Sequence, residues 1–184
     1  ESEVAKLDTI IQSSNYLSKT IDDFRNFFKP NKEKNYFSIE EMTEQSISLI
    51  NASFAFHYIK INKNFANIEK VFGFPNEFSQ AILNVLANAK DVLVQKEIEN
   101  PQVNINIYEN EEFGFLEIED NGGGINPNIL IKIFEPYFTT KEKNQGTGIG
   151  LYMSKMIVEK NMSGKLTVIN TSIGAKFIFA IPKE

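Results

Sequence analysis

Between Phe115 and Asp120, the side chains of Leu116, Ile118 and Asp120 alternate with Glu117 and Glu119. Successive side chains of a strand point to opposite faces, so this carboxylate shares the face of two aliphatic residues. A charge buried without donors costs several kcal/mol. Any fold of this chain must therefore bring donors to the end of that strand. Asn121-Gly122-Gly123-Gly124 follows at once, and glycines let the main chain approach a flat ligand closely. The exocyclic amine of a purine is a suitable donor. Taken alone, the same residues also fit a turn aspartate ahead of a glycine hairpin.

Two further segments carry chemistry. Gln80, Asn84 and Asn88 recur at i+4 steps along a helix expected from about Glu77 to Val94, one amide stripe on an otherwise apolar helix. Asn is a poor interior helix residue. Carboxamides aimed into a polar cavity would explain the pair, and a side-chain carbonyl there could ligate Mg²⁺, which demands oxygen. A solvent-facing stripe is the alternative. Gly146-Thr147-Gly148-Ile149-Gly150-Leu151 precedes a helix expected near 149–160, whose free amides favour phosphate. Its G-x-G-x-G spacing matches neither the dinucleotide fingerprint nor the Walker loop, so by itself it is weak.

Around these lies a readable architecture. Leu7, Ile10, Leu17, Ile21, Phe24 and Phe28, with Ser14 at the polar step, follow heptad spacing over 1–29. Such a helix would be about 40 Å long. It is expected either to project and pack on another copy or to lie across its own domain. Pro30 and the polar run 31–35 close it, giving domains at 1–30 and 31–184. Ser38 with Glu41 is a capping signature for a helix to about Phe54. Strands are expected at 59–61, 103–107, 115–120, 165–170 and 176–181, and a short helix from Asn126-Pro127 to Phe134. His57 shares the parity of Ile59 and Ile61, as a histidine at the margin of a core face would. Helices and strands mix without βα regularity. The expected class is α+β, a two-layer sandwich with a mixed sheet covered by helices on one face, preceded by the long projecting helix.

Net charge is −5 and no Lys/Arg block occurs, which argues against nucleic acid and against an anionic membrane patch. Without cysteine there are no disulfides, thiolate zinc sites or cysteine nucleophiles. No apolar run reaches the roughly 20 residues of a membrane helix. A chain starting at Glu1 without Met reads as a piece of a longer protein. A cytoplasmic location, or the cytoplasmic part of a membrane-bound sensor, is compatible.

The amide stripe, the inward aspartate with its glycine turn, and the glycine loop occur in that order, with Phe134-Glu135-Pro136-Tyr137-Phe138-Thr139-Thr140-Lys141 before the last. This arrangement resembles the Bergerat-fold ATP-binding domain of sensor histidine kinases, type II topoisomerases, ninety-kilodalton heat-shock chaperones and mismatch-repair ATPases, over about 36–184. The FEPYFTTK segment resembles the F box of two-component sensor histidine kinases, and 1–29 resembles the second helix of their dimerisation hairpin. The resemblance implies catalytic roles for Asn84 and Asn88, with Asn88 the Mg²⁺ ligand and Asn84 standing where hydrolytic relatives carry a water-activating Glu. It implies that Asp120 reads the adenine amine, with Gly122 and Gly124 shaping the pocket. Gly146, Thr147, Gly148, Gly150 and Leu151 match the box folding over the triphosphate, and Phe134 and Phe138 match lid anchors.

Two positions depart from that pattern. Asp91 stands where many members carry a phosphate-touching cation, with Lys90 beside it, so Lys90, Lys141 or Lys143 would supply the charge. Ala175 replaces a Thr or Ser in the last glycine box, so Asp120 would carry more of the purine recognition. ATP and Mg²⁺ are the implied cofactors. A homodimer through the N-terminal helix and a response-regulator receiver domain are the implied partners. The phosphoacceptor histidine of such kinases lies on a helix before the one at 1–29, so this chain is expected to bind Mg·ATP without autophosphorylating. An ATP hydrolase of the same fold and a non-catalytic nucleotide-binding module are the alternatives.

Overall fold

Ser38 opens the first helix as its spacing with Glu41 predicts. In the computed structural model, which describes residues 33–141 and 146–184, the Ser38 hydroxyl accepts the Glu41 N–H at 3.2 Å and helix α1 runs Ile39–Phe56. Glu40 and Glu41 in its first turn suit the positive end of the helix dipole. His57 forms the C-cap, its ring edge-on to Phe56 at 5.0 Å. It therefore belongs to the helix end and not to the strand pattern, which starts at Lys60. The expected helix over 1–29, Pro30 and Lys143 lie outside the described residues.

Strand β1 (Asn35–Phe37) pairs antiparallel with β3 (Val71–Gly73). At three residues each, these strands are too short for an alternating pattern to announce them. The main sheet holds β2 (Lys60–Phe65), β4 (Gln102–Glu109), β5 (Phe113–Asp120), β6 (Lys165–Asn170) and β7 (Ala175–Pro182) in the order β2-β4-β5-β7-β6. Only β2 and β4 run parallel, and the chain between them carries helix α2 (Pro75–Gln95), as a parallel connection requires. Asn110 fixes the β4–β5 hairpin by accepting the N–H groups of Glu112 and Phe113 at 2.9 and 2.7 Å.

One sheet face is apolar in rows. Ile107, Leu116, Phe179 and Leu166 form one row, and Ile105, Ile118, Phe177 and Val168 the next. Nearly all are buried. α2 lies over this face between α1 and helix α3 (Gly150–Met156), contributing Phe78, Ala81, Ile82, Val85, Leu86 and Leu93 at helical spacing, all at most 2% exposed. This is the expected mixed-sheet sandwich. α3 continues into a π turn, Ile157–Asn161. The short helix expected from Asn126 to Phe134 is instead a series of turns ending in a 3₁₀ turn, Lys132–Phe134. Its turns close mostly through i→i−3 bonds, Ile129 N–H to Asn126 O at 3.0 Å, Leu130 N–H to Pro127 O at 3.4 Å and Lys132 N–H to Ile129 O at 2.8 Å, the tighter pattern that is used in short pieces; Ile133 is buried while Ile131 is 86% exposed.

Phe179 is fully buried and meets Phe78 edge-on, with centroids 5.8 Å apart. Phe179→Ala should cost about 3–5 kcal/mol in urea unfolding. A loss under about 1 kcal/mol would contradict this core assignment.

Candidate functional site

The register places Asp120 opposite Val103, on the row beyond Ile105 and Ile118. Its side chain is 6% exposed. The donors demanded by that burial come from two main-chain groups: Gly122 N–H donates to Asp120 Oδ1 at 2.8 Å and Ala175 N–H to the same oxygen at 3.4 Å. Among the described residues nothing donates to Oδ2. Burial pushes the carboxyl above its ordinary range; the Gly122 and Ala175 N–H groups and the Lys96 charge pull against this, and Glu119 adds to the rise.

The strand after Gly174 approaches so closely that a Cβ there would run into the Asp120 backbone carbonyl. Only glycine fits. Ala175 thus serves through its N–H, and the hydroxyl missing at that position leaves Asp120 and the main chain as the polar groups here. The turn 121–125 is braced by residues that local patterns do not single out. Lys96 donates to Gly122 O at 2.6 Å. Asn170 accepts the Ile125 N–H at 2.8 Å and donates to Ile125 O at 2.6 Å, and its Oδ1 would lie 2.8 Å from a Cβ on Gly124.

Asn84 and Asn88 of α2 face different neighbours. Asn84 Nδ2 donates to Gly150 O and to Ser154 Oγ, both at 3.2 Å, so it clasps the first turn of α3 to α2. Asn88 Oδ1 accepts from Lys141 Nζ at 3.4 Å. Lys141 is held by Asp91 Oδ2 at 2.6 Å, while Lys90 Nζ stands 3.6 Å from the other Asp91 oxygen. The Asp91 carboxylate thus gathers two ammonium groups next to the Asn88 carboxamide.

Phe134 rests edge-on against Phe177, with centroids 6.4 Å apart, under Lys155 Nζ at 4.7 Å from its ring. That pins the start of the FEPYFTTK segment to the sheet. Phe138 is half-buried, and its carbonyl lies 2.6 Å from where a Cβ on Gly148 would stand; Gly148 has φ +66°. Both the left-handed backbone and the close approach require glycine there. Gly146 lies against Thr139 and Lys141, Thr147 Oγ1 accepts the Ile149 N–H at 3.4 Å, and Leu151 sits half-buried in the first turn of α3.

Because its native carboxyl titrates above the unfolded value, Asp120 gives a definite sign. Between the two values folding takes up a proton, so this contribution to stability is largest below that window and is lost as pH rises through the raised native value. Asp120→Asn keeps an oxygen for the two N–H donors and removes the charge. In thermal melts the variant should gain on the wild type above the window, and the gain should vanish on acidification. A difference independent of pH would contradict the assignment.

Comparison with known proteins follows the same lines. Residues 73–184 match the family described as Histidine kinase-, DNA gyrase B-, and HSP90-like ATPase. The two-component sensor PprA of Pseudomonas aeruginosa is 42% identical over 115 residues, 61% of this chain and 12% of PprA. The sensor protein KdpD of Clostridium acetobutylicum is 32% identical over 151 residues, 79% of this chain and 16% of KdpD. The chain thus spans a small part of the relatives it matches. The catalytic domain of histidine kinase ThkA superposes with TM-score 0.73 at 28% identity, covering 82% of this chain and 96% of that domain. With the family match covering more than half of its length, the chain belongs to the histidine kinase-, DNA gyrase B- and HSP90-like ATPases, as an ATP-binding domain of the two-component histidine kinase kind.

Proposed function

We propose that this chain is the part of a sensor histidine kinase that binds Mg·ATP and presents its γ-phosphoryl group to a histidine. The observation that carries the reading is the Asp120 carboxylate: buried, ordered through Oδ1 by two main-chain N–H groups, and, among the described residues, without a donor on Oδ2. An adenine exocyclic amine supplies the donor that Oδ2 lacks. Gly122 and Gly124 shape the pocket beside it, and Gly146, Thr147, Gly148, Gly150 and Leu151 surround the triphosphate, with Phe134 and Phe138 anchoring the segment before them.

At the phosphate end the donor set suits a hard cation. Asn88 Oδ1 accepts from the Lys141 ammonium; with that ammonium turned to a phosphate, the amide oxygen would be open to Mg²⁺, whose shell retains water and phosphate ligands. Held by Asn88, Mg²⁺ would supply neutralisation of phosphate charge. Of the two candidate lysines among the described residues, Lys90 and Lys141, it is Lys141 that is hydrogen-bonded to Asn88. We assign it the phosphate contact, with Asp91 holding it in reach and Lys90 adding charge behind. Asn84 joins α2 to α3, and its amide cannot take a proton from water, which disfavours ATP hydrolysis. Catalysis is then positioning and charge neutralisation. The bond between the γ-phosphorus and the β–γ bridging oxygen breaks, ADP leaves, and a histidine nitrogen takes the phosphoryl group.

In this reading 31–184 is the catalytic domain and 1–30 the second helix of a dimerisation hairpin, through which two copies pair; the accepting histidine lies on the other helix. A response-regulator receiver domain takes the phosphoryl group next. ThkA has been solved in complex with the response regulator protein TrrA, which supports that partner class. Among the described residues no helix is long and apolar enough to cross a membrane.

Calorimetric titration with a non-hydrolysable adenine nucleotide should show binding that tightens with Mg²⁺, and Asn88→Ala should abolish the Mg²⁺-dependent gain. Asp120→Asn should weaken binding about 10- to 100-fold, the worth of one hydrogen bond to a charged group. Unchanged affinity in that variant would contradict the purine assignment. With radiolabelled ATP the chain alone should acquire no acid-labile phosphoryl mark, since its one histidine caps α1; such a mark would overturn that expectation.

A further inference from the structure

Helix α2 ends at Lys96, and the way it ends fixes where that side chain starts. Lys96 N–H donates to Val92 O at 3.0 Å, Ile98 N–H to Leu93 O at 3.1 Å, and Glu97 between them takes φ 49°. The chain thus turns off the helix directly after Lys96, as at a left-handed C-cap. From this anchored position the ammonium reaches Gly122 O at 2.6 Å, a short, charge-assisted bond. The N–H of the same glycine donates to Asp120 Oδ1 at 2.8 Å. Gly122 is therefore gripped from two sides, its carbonyl by a cation and its amide by the purine-reading carboxylate. On a third side, Val92 Cγ1 lies 2.6 Å from where a Cβ on Gly122 would stand, so the peptide is also packed against the helix one turn before Lys96.

A glycine turn has many backbone conformations open to it. What holds this one determines where the Asp120 carboxylate points. If the carbonyl were released, Gly122 could turn, its N–H would leave Oδ1, and the carboxylate would be free to rotate. Lys96 bonds the Gly122 carbonyl, and its charge acts on Asp120, while Asn88, at the proposed triphosphate end of α2, stands two turns earlier. Its effect on ligands must pass through Gly122 and Asp120.

We propose that Lys96 is a positioning residue for purine recognition: by holding the Gly122 carbonyl it fixes the carboxylate of Asp120 so that the site prefers a base bearing an exocyclic amine over one bearing a carbonyl at that place. This rests on the assignment of Asp120 to the adenine amine made above. An inosine nucleotide sets a carbonyl oxygen against the carboxylate, acceptor against acceptor, and a well-oriented acid penalises that mismatch more than a loosely held one.

The test is calorimetric titration of the whole chain with non-hydrolysable ATP and with the corresponding inosine nucleotide, at fixed Mg²⁺, for the wild type, Lys96→Met, Lys96→Gln and Lys96→Arg, with thermal melts alongside. The wild type should prefer adenine. Lys96→Met should lose about fivefold in adenine affinity with little change for inosine, narrowing the preference by that factor. Lys96→Arg, which keeps a charged donor, should hold the preference within about twofold of the wild type. Lys96→Gln keeps a neutral donor and should fall between them. A wild-type preference in Lys96→Met would overturn the inference. So would an equal loss for both nucleotides, the mark of a merely structural role, and were Lys96→Met to unfold, Lys96→Gln against Lys96→Arg decides by the same ratio. A wild type that does not distinguish the two bases would overturn the Asp120 assignment itself, whatever Lys96 does.

Discussion

An ionisable carboxyl stands in the last row of a hydrophobic sheet face, and the fold around it is arranged to tolerate that. Asp120 follows Leu116 and Ile118 on the parity that points into the core. Main-chain N–H groups from a glycine turn and from the start of β7 converge on one of its oxygens. Among the described residues the other oxygen has no partner, and the acid sits above its ordinary titration range because of burial. A purely structural core would replace such a group with an aliphatic side chain at no loss. Keeping it makes sense where a ligand completes the set of donors, as proposed above.

Helix α2 links that carboxyl to the rest of the site. Residues 84, 88, 92 and 96 are one turn apart, and between them they reach three elements: Asn84 the start of α3, Asn88 the lysine that closes FEPYFTTK, Val92 and Lys96 the turn after Asp120. The opposite side of the same helix is packed on the sheet through Phe78, Ile82, Leu86 and Leu93. A rigid element therefore sets the distance between the turn after Asp120 and the Asn88 carboxamide, the two ends of the proposed site. Gly148 and Gly174 extend this control, since each lets one strand of main chain lie directly on another where a Cβ would not fit.

Much of this was legible in the sequence because it rests on local periodicity. Period two placed Asp120 inward, and the i+4 spacing put Asn84 and Asn88 on one stripe. The capping pair at Ser38 and Glu41 began α1 at the right residue. What local pattern could not supply was the partner of each side chain. Successive i+4 positions rotate about 40° around a helix, which suffices to turn Asn84 to α3 and Asn88 to Lys141. Lys96 and Asn170 were invisible for the same reason: each braces the glycine turn from far along the chain, and nothing in its neighbours marks it. The pairing of β1 with β3 escaped because three-residue strands show no alternation. The segment 126–134 reads as a helix because a capping signal is present, while the i→i−3 bonds that close its turns leave no mark in the spacing of its isoleucines.

The most direct test of the central claim is a crystal structure of the chain with a non-hydrolysable adenine nucleotide and Mg²⁺. The account predicts the exocyclic amine within about 2.7–3.2 Å of Asp120 Oδ2, with Oδ1 still on the Gly122 N–H. A base bound elsewhere, or an Asp120 carboxylate turned away from it, would contradict the account.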